Sequence, residues 1–186
     1  FCDVRVVRPI FYGGEIVSFA LTNGHWADVG GTVPGSFDIS AKDHFGEGLR
    51  IPPIRIWEKG RYLSDVADCL VANMRGSEDR LGDLRAQAEA TRVGEREFLR
   101  LIEKYGKETV LLAAKECQDY VERIARQRIA DLPDGTWETV DFIDQDPDLE
   151  EGLIPVKVKM TIEGEKVTYD LSGSHPYVGC FLNSAY

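Results

Sequence analysis

The residues best suited to chemistry lie near the start of the chain. His25 and Asp28 are three apart in the run His-Trp-Ala-Asp, and Asp3 lies at the far end of the stretch that leads to them. An imidazole beside a carboxylate suits a divalent metal. The same groups can equally form a hydrogen-bonded Asp–His pair with no metal, and the HxxD spacing does not separate the two readings. Just downstream, Gly30-Gly31 and Gly35-Ser36 could turn backbone N–H groups toward an oxyanion or phosphate. Gly30, Gly31 and Ser36 are therefore candidate substrate- or phosphate-binding residues, although turn glycines that only shape the loop would read the same way. His44 and Glu47 follow closely enough to face the same pocket. Arg80, Asp83, Arg85, Gln87 and Arg92 form a polar helix face, which is normally solvated. His175, before Pro176, reads as a loop residue.

These residues need elements to place them. Val4 to Phe11 and Ile16 to Leu21 are β-branched, apolar runs around Gly13-Gly14, the pattern of a β-hairpin. Counting outward from a two-residue loop puts Asp3 opposite Gly24; one bulge, or a three-residue loop, puts it opposite His25. Either way a carboxylate and an imidazole meet at one end of a two-stranded ribbon. The glycine-dense segment His25 to Ser36 has neither helical period nor strand alternation and reads as a shaped loop. Ile51 to Trp57 predicts a short strand, held to an edge by Pro52 and Pro53.

The middle of the chain changes character. Leu63 to Met74 has apolar residues at helical spacing (Val66, Leu70, Val71). Ser77 looks like an N-cap for a helix running to Tyr105. Its buried stripe would be Leu81, Leu84, Ala88, Phe98, Leu99 and Ile102, with Gly82 and Gly94 marking close packing. Gly106 reads as the stop, and a second helix follows from Lys107 to about Leu132, striped by Val110, Ala114, Cys117, Val121, Ile124 and Ile129. The two should form an antiparallel helical hairpin. Thr136 to Ile143, Val156 to Ile162 and Val167 to Leu171 alternate as strands with one wet face, and the acidic stretch Asp144 to Glu151 reads as a solvated loop. The expected class is α+β: a β-hairpin and glycine-loop region at 1–60, a helical region at 61–133 and an antiparallel β region at 134–186.

Composition narrows the partners. Twenty-two Lys and Arg against thirty-two Asp and Glu leave a net charge of -10, which speaks against nucleic acid or an anionic membrane. No apolar run approaches the roughly eighteen residues of a membrane span, and the chain reads as cytoplasmic. Cys2, Cys69, Cys117 and Cys180 form no CxxC pair, so neither a disulfide framework nor a zinc ribbon is expected; Cys69 and Cys117 fall on helical stripes and are expected to be buried thiols. An opening at Phe1 on a strand, and an end at Tyr186 with no closing helix, read as a piece cut from a longer polypeptide.

The stretch CDVRVVRPIFYGGEIVSFALTNGHWADVGGTVPGS resembles the hydantoinase B / oxoprolinase subunit pattern, in which a threonine-histidine-leucine-x-aspartate strand leads to a histidine-x-alanine-aspartate-valine-glycine-glycine loop. The resemblance continues in order through EGLRIPP (Glu47 to Pro53), RLGDLRAQAEATRVGERE (Arg80 to Glu97), LPDGTWE (Leu132 to Glu138) and the turn Asp170-Leu171-Ser172-Gly173-Ser174. It spans nearly the whole chain. Enzymes of that family include 5-oxoprolinases, N-methylhydantoinases, a lactam hydrolase and the acetone and acetophenone carboxylases. The resemblance implies an ATP-dependent cyclic-amide hydrolase or, as the alternative, a ketone carboxylase. It also implies a hydantoinase A-type partner that carries ATP and Mg and phosphorylates the unreactive carbonyl or enol oxygen. Asp3 and His25 would hold a divalent metal (Mn, Zn or Fe), with Asp28 beside it as a supporting carboxylate or base. A further histidine of the pattern would fall just ahead of Phe1, and where the family often has two adjacent histidines this chain has His25-Trp26. The alternative of another class is a non-catalytic scaffold for an ATPase partner.

Overall fold

The computed structural model describes residues 2–144, 153–179 and 182. The acidic stretch after Asp144, and Cys180, lie outside the described residues. The fold is α+β, with antiparallel sheets and a long helical region. The chain divides into two compact units, Phe1–Lys107 and Glu108–Tyr186, and the division falls within the helical region.

In the first unit, β1 (Asp3–Tyr12) and β2 (Glu15–His25) form the expected antiparallel ribbon. The turn pairs Tyr12 with Glu15, and a register shift between Ile10 and Phe11 brings Asp3 opposite His25. Of the two counts, the bulged one holds, because a bulge adds one residue to one strand and moves every later rung. The long helix α3 (Ser77–Tyr105) packs against both strands. Its stripe is buried at Leu84, Ala88 and Ile102, joined by Thr91 and by the aliphatic stem of Arg80. Gly94 is a point of close packing: a Cβ there would lie 3.3 Å from the Cβ of Ala20, whereas the space beside Gly82 is open.

Beneath one end of the ribbon Cys2, Trp26, Val29, Ala67, Val71, Met74 and Leu84 form the main core cluster. Two of these, Cys2 and Trp26, are the chain neighbours of Asp3 and His25, and the Trp26 amide donates to the Cys2 carbonyl at 2.9 Å. Burying an apolar side chain of this size contributes about 1.5–3 kcal/mol, so the backbone on either side of the pair is anchored by packing. The helix α2 (Ser64–Val71) adds Ala67 and Val71 to this core. The remaining elements of the unit are short: α1 (His44–Glu47), capped by the Asp43 side chain, and the two-residue strands β3 (Trp57–Glu58) and β4 (Arg61–Tyr62).

The structure corrects several sequence expectations. Of the expected strand Ile51 to Trp57 only Trp57 is in a ladder: Pro52 and Pro53 offer no N–H to one, and 51–56 is a loop, exposed from Pro52 to Arg55, with Ile51 and Ile56 packed against the core. Ser77 is the first helical residue rather than the cap; the cap position is Gly76 at φ 67, with no side-chain bond. Cys69 and Cys117 are exposed and Cys2 is buried.

The helix α4 (Lys107–Ala130) follows the break at Gly106 (φ 85), and from Glu108 onward it belongs to the second unit. None of its residues is fully buried: of the expected stripe, Ala114, Cys117, Val121 and Ile124 are exposed, and Val110 and Ile129 are half-buried. The strands β5 (Gly135–Asp144), β6 (Leu153–Glu163) and β7 (Lys166–Asp170) form a three-stranded antiparallel meander in the order β5-β6-β7. Ile154 and Val178 are its small core cluster. No helix among the described residues is long and apolar enough to cross a membrane.

Candidate functional site

The last rung of the ribbon sets the geometry. Directly paired residues of an antiparallel ladder project to the same face, with Cβ atoms about 4.5–5.5 Å apart. Asp3 and His25 form such a pair, and His25 Nδ1 lies 3.0 Å from Asp3 Oδ1. Both side chains are open to solvent, at 67% exposure for His25 and 41% for Asp3. Two ligand atoms about 2.1 Å from one cation and at right angles to each other lie roughly 3.0 Å apart. The separation is that of a direct Asp–His hydrogen bond, and the same donor types at the same spacing could also serve as two neighbouring ligands of an octahedral divalent cation. No group of three or more His, Cys, Asp and Glu side chains that could hold a metal occurs among the described residues, so the pair is at most part of a ligand set.

Asp28 is placed quite differently. It is 5% exposed, and its two carboxylate oxygens accept four hydrogen bonds. The Gly30 amide donates to Oδ1 at 2.8 Å and the Gly35 amide to Oδ2 at 2.8 Å. Arg75 supplies the others, its amide to Oδ1 at 3.2 Å and its guanidinium to Oδ2 at 3.0 Å. Burial alone would raise this carboxyl's pKa, but the donors from Gly30, Gly35 and Arg75 outweigh it and bring it down from 3.8 to about 2. The Arg75 guanidinium also reaches the carbonyls of Val33 and Gly31.

The glycine loop thus holds an anion that belongs to the chain itself. Gly30 and Gly31 adopt φ of +90° and +88°, a region that residues with a Cβ rarely enter. A Cβ on Gly31 would also lie 2.5 Å from the Gly46 carbonyl. The Ser36 hydroxyl accepts from the Val29 amide at 2.8 Å and donates to the Gly30 carbonyl at 2.5 Å. Gly30 and Ser36, expected to face a substrate or phosphate, spend these donors inside the loop. His44 lies on α1, with Nε2 2.8 Å from a guanidinium nitrogen of Arg50. His175 belongs to the second unit, where its amide donates to the Pro155 carbonyl at 2.9 Å.

The polar face of α3 divides. Arg92 pairs with Glu89 in solvent, and Arg80 pairs with Asp83 at 2.8 Å. The Arg85 guanidinium lies 5.8 Å from the centre of the Tyr62 ring. Gln87 turns inward: Oε1 accepts from Trp26 Nε1 at 2.8 Å, and Nε2 donates to the Val4 carbonyl at 2.9 Å. Sequence reasoning missed Arg75 altogether and gave Gln87 no partner. A buried carboxylate does signal that a cation must come from somewhere, but Arg75 is 47 residues away from Asp28 in the chain.

A sequence profile described as Hydantoinase B/oxoprolinase matches residues 1–186. The chain belongs to the hydantoinase B/oxoprolinase family. Within it, the chain is similar to the beta subunit of the caprolactamase of Pseudomonas jessenii, at 35% identity over 98% of this chain and 31% of that protein. The crystal structure of the ATP-dependent caprolactamase from that organism superposes with a TM-score of 0.86 over the same shares. The B component of a putative D-/L-hydantoinase from Pseudomonas sp. (strain NS671) is 36% identical over 95% of this chain and 30% of its own length. The acetophenone carboxylase delta subunit of Aromatoleum aromaticum is 32% identical over 94% of this chain and 26% of its own. The chain therefore spans less than a third of the length of these hydantoinase B/oxoprolinase relatives.

Proposed function

We propose that the chain forms part of a subunit of an ATP-dependent cyclic-amide hydrolase of the hydantoin, 5-oxoproline or lactam class, and that Asp3 and His25 are two of its metal ligands. The observation that carries the reading is the 3.0 Å approach of an exposed carboxylate and an exposed imidazole on one rung of an anchored ribbon. A divalent metal held there would polarise a substrate carbonyl or lower the pKa of a bound water toward about 7. The chain's own residues do the rest of the positioning. The Asp3–His25 rung fixes two donor atoms on one face, and the loop from Ala27 to Ser36 leads away from that rung with its shape set by Asp28. A carboxylate with a pKa of about 2 and four donors is a poor proton acceptor at neutral pH; we assign Asp28 to holding the loop, and not to proton transfer. ATP and Mg belong to a hydantoinase A-type partner polypeptide or domain in this reading, in keeping with relatives whose names give them as one component of an enzyme with several.

A second reading, a ketone carboxylase of the same build, rests on the likeness to the acetophenone carboxylase delta subunit. One assay separates them. The complete enzyme is given ATP with 5-oxoproline, hydantoins and lactams, or with ketones and bicarbonate, and phosphate and product are followed separately. Ring-opened product without bicarbonate supports the hydrolase. Product from ketones alone, and only with bicarbonate, supports the carboxylase. ATP turnover with no product on any of these substrates contradicts both.

A further inference from the structure

We infer that Gln87 is a positioning residue for the Asp3–His25 pair; the inference rests on the metal reading of that pair. Its amide group spans the two strands immediately beside the pair. Nε2 donates at 2.9 Å to the carbonyl of Val4, the residue after Asp3, and Oε1 accepts at 2.8 Å from the indole of Trp26, the residue after His25. The Gln87 backbone carbonyl accepts from Thr22 Oγ1 at 3.3 Å, farther along β2. One helical residue thus ties together the chain neighbours of both rung partners, Val4 after Asp3 and Trp26 after His25.

Gly24 makes the arrangement possible. It is paired with Val4, and a Cβ built on it would lie 2.8 Å from Gln87 Nε2 and 2.9 Å from Cδ. The amide packs against β2 at Gly24, the one residue of that strand without side-chain bulk. A glutamine amide has one acceptor oxygen and an NH2 donor group, and both are in use. Glutamate could still accept from Trp26 but, when ionised, would turn a second acceptor toward the Val4 carbonyl. Leucine would offer neither bond.

The clamp predicts a specific non-additivity. In the complete enzyme, Gln87→Leu weakens Mn2+ affinity by about 10-fold, the low end of the range for residues bonded directly to a metal ligand, because Gln87 acts on the ligands through their chain neighbours. Gly24→Ala alone gives a comparable loss, because the new methyl displaces the amide, but Gly24→Ala adds little on top of Gln87→Leu. Amide hydrogen exchange in the metal-free enzyme gives a second readout. Gln87→Leu speeds exchange at Trp26, whose amide donates to Cys2 at 2.9 Å, and leaves the amides near the Gly13-Gly14 turn unchanged. Additive losses from the two substitutions, or a Gln87→Leu enzyme with unchanged Trp26 exchange, overturn the clamp. His25→Ala run in parallel tests the underlying reading by itself: if it keeps full Mn2+ affinity, the metal assignment fails, and the Trp26 exchange alone decides whether Gln87 holds the rung.

Discussion

Asp3 and Asp28 both lie near His25, one across the ribbon and one three residues along the chain, and the fold uses them in opposite ways. Asp28 is buried, and the chain itself supplies a guanidinium and three backbone amides to its oxygens. Asp3 stands at the open end of a ribbon, where its side chain meets one imidazole. A carboxylate whose lone pairs are already taken organises structure, whereas one with unused lone pairs can bind something. Proximity in sequence to His25 does not by itself leave a carboxylate open to a ligand: Asp28 is three residues away and its oxygens already accept four hydrogen bonds. What decides is how much of its hydrogen-bonding capacity the fold has consumed.

The largest effect should come from the open pair. His25→Ala removes an imidazole that packs against little, so the fold and the enzyme complex survive. Product formation should fall by well over 100-fold, since substitutions that merely orient a ligand already cost about 10- to 100-fold. If the proposed ATP-hydrolysing partner is correct, ATP hydrolysis should continue without product, which separate phosphate and product assays would show. A variant that retained product formation would erase the distinction between the two aspartates.

The closed carboxylate should respond in stability instead. Its pKa lies at about 2 in the fold against 3.8 outside it. A depressed folded pKa means that the stabilisation is fully present above about pH 4 and is lost as pH falls toward 2. The shift corresponds to about 2 kcal/mol. Asp28→Asn should therefore lower the protection of the Gly30 and Gly35 amides by about that amount at pH 7, measured by hydrogen exchange, and the difference from wild type should close near pH 2. An Asp28→Asn loop as protected as wild type at pH 7 would mean that the four donors hold nothing.

The smallest effects should fall on polar residues that touch neither carboxylate. His44→Ala loses an exposed contact to Arg50, and Arg92→Ala loses an exposed ion pair with Glu89. Exposed pairs of this kind are worth about 0–1 kcal/mol, so both variants should keep product rates within about twofold. A tenfold loss in His44→Ala would bring that residue into the site.

Much of the geometry of the candidate site was legible in the sequence. Gly13-Gly14 fixes the turn, counting outward with one bulge puts Asp3 against His25, and Gly106 marks where one helix ends and the next begins. These are local signals, carried by period and turn chemistry. What the sequence withheld is tertiary. Nothing near Asp28 announces Arg75, and nothing near Trp26 announces Gln87, because each partner is brought in by a segment dozens of residues away. Periodicity also overstated burial: Cys69 and Cys117 fit apolar stripes and are exposed. A stripe records which face could be covered, and the cover has to come from elsewhere in the fold.

In the proposed reading the exposed pair binds a metal and the buried carboxylate does not. Metal content by mass spectrometry, on the purified complete enzyme and its His25→Ala and Asp28→Asn variants, tests it directly. Wild type and Asp28→Asn should each carry stoichiometric Mn, Zn or Fe, while His25→Ala should have lost it. A His25→Ala enzyme that keeps its metal and its product rate, or an Asp28→Asn enzyme that folds but has lost its metal, would contradict this account.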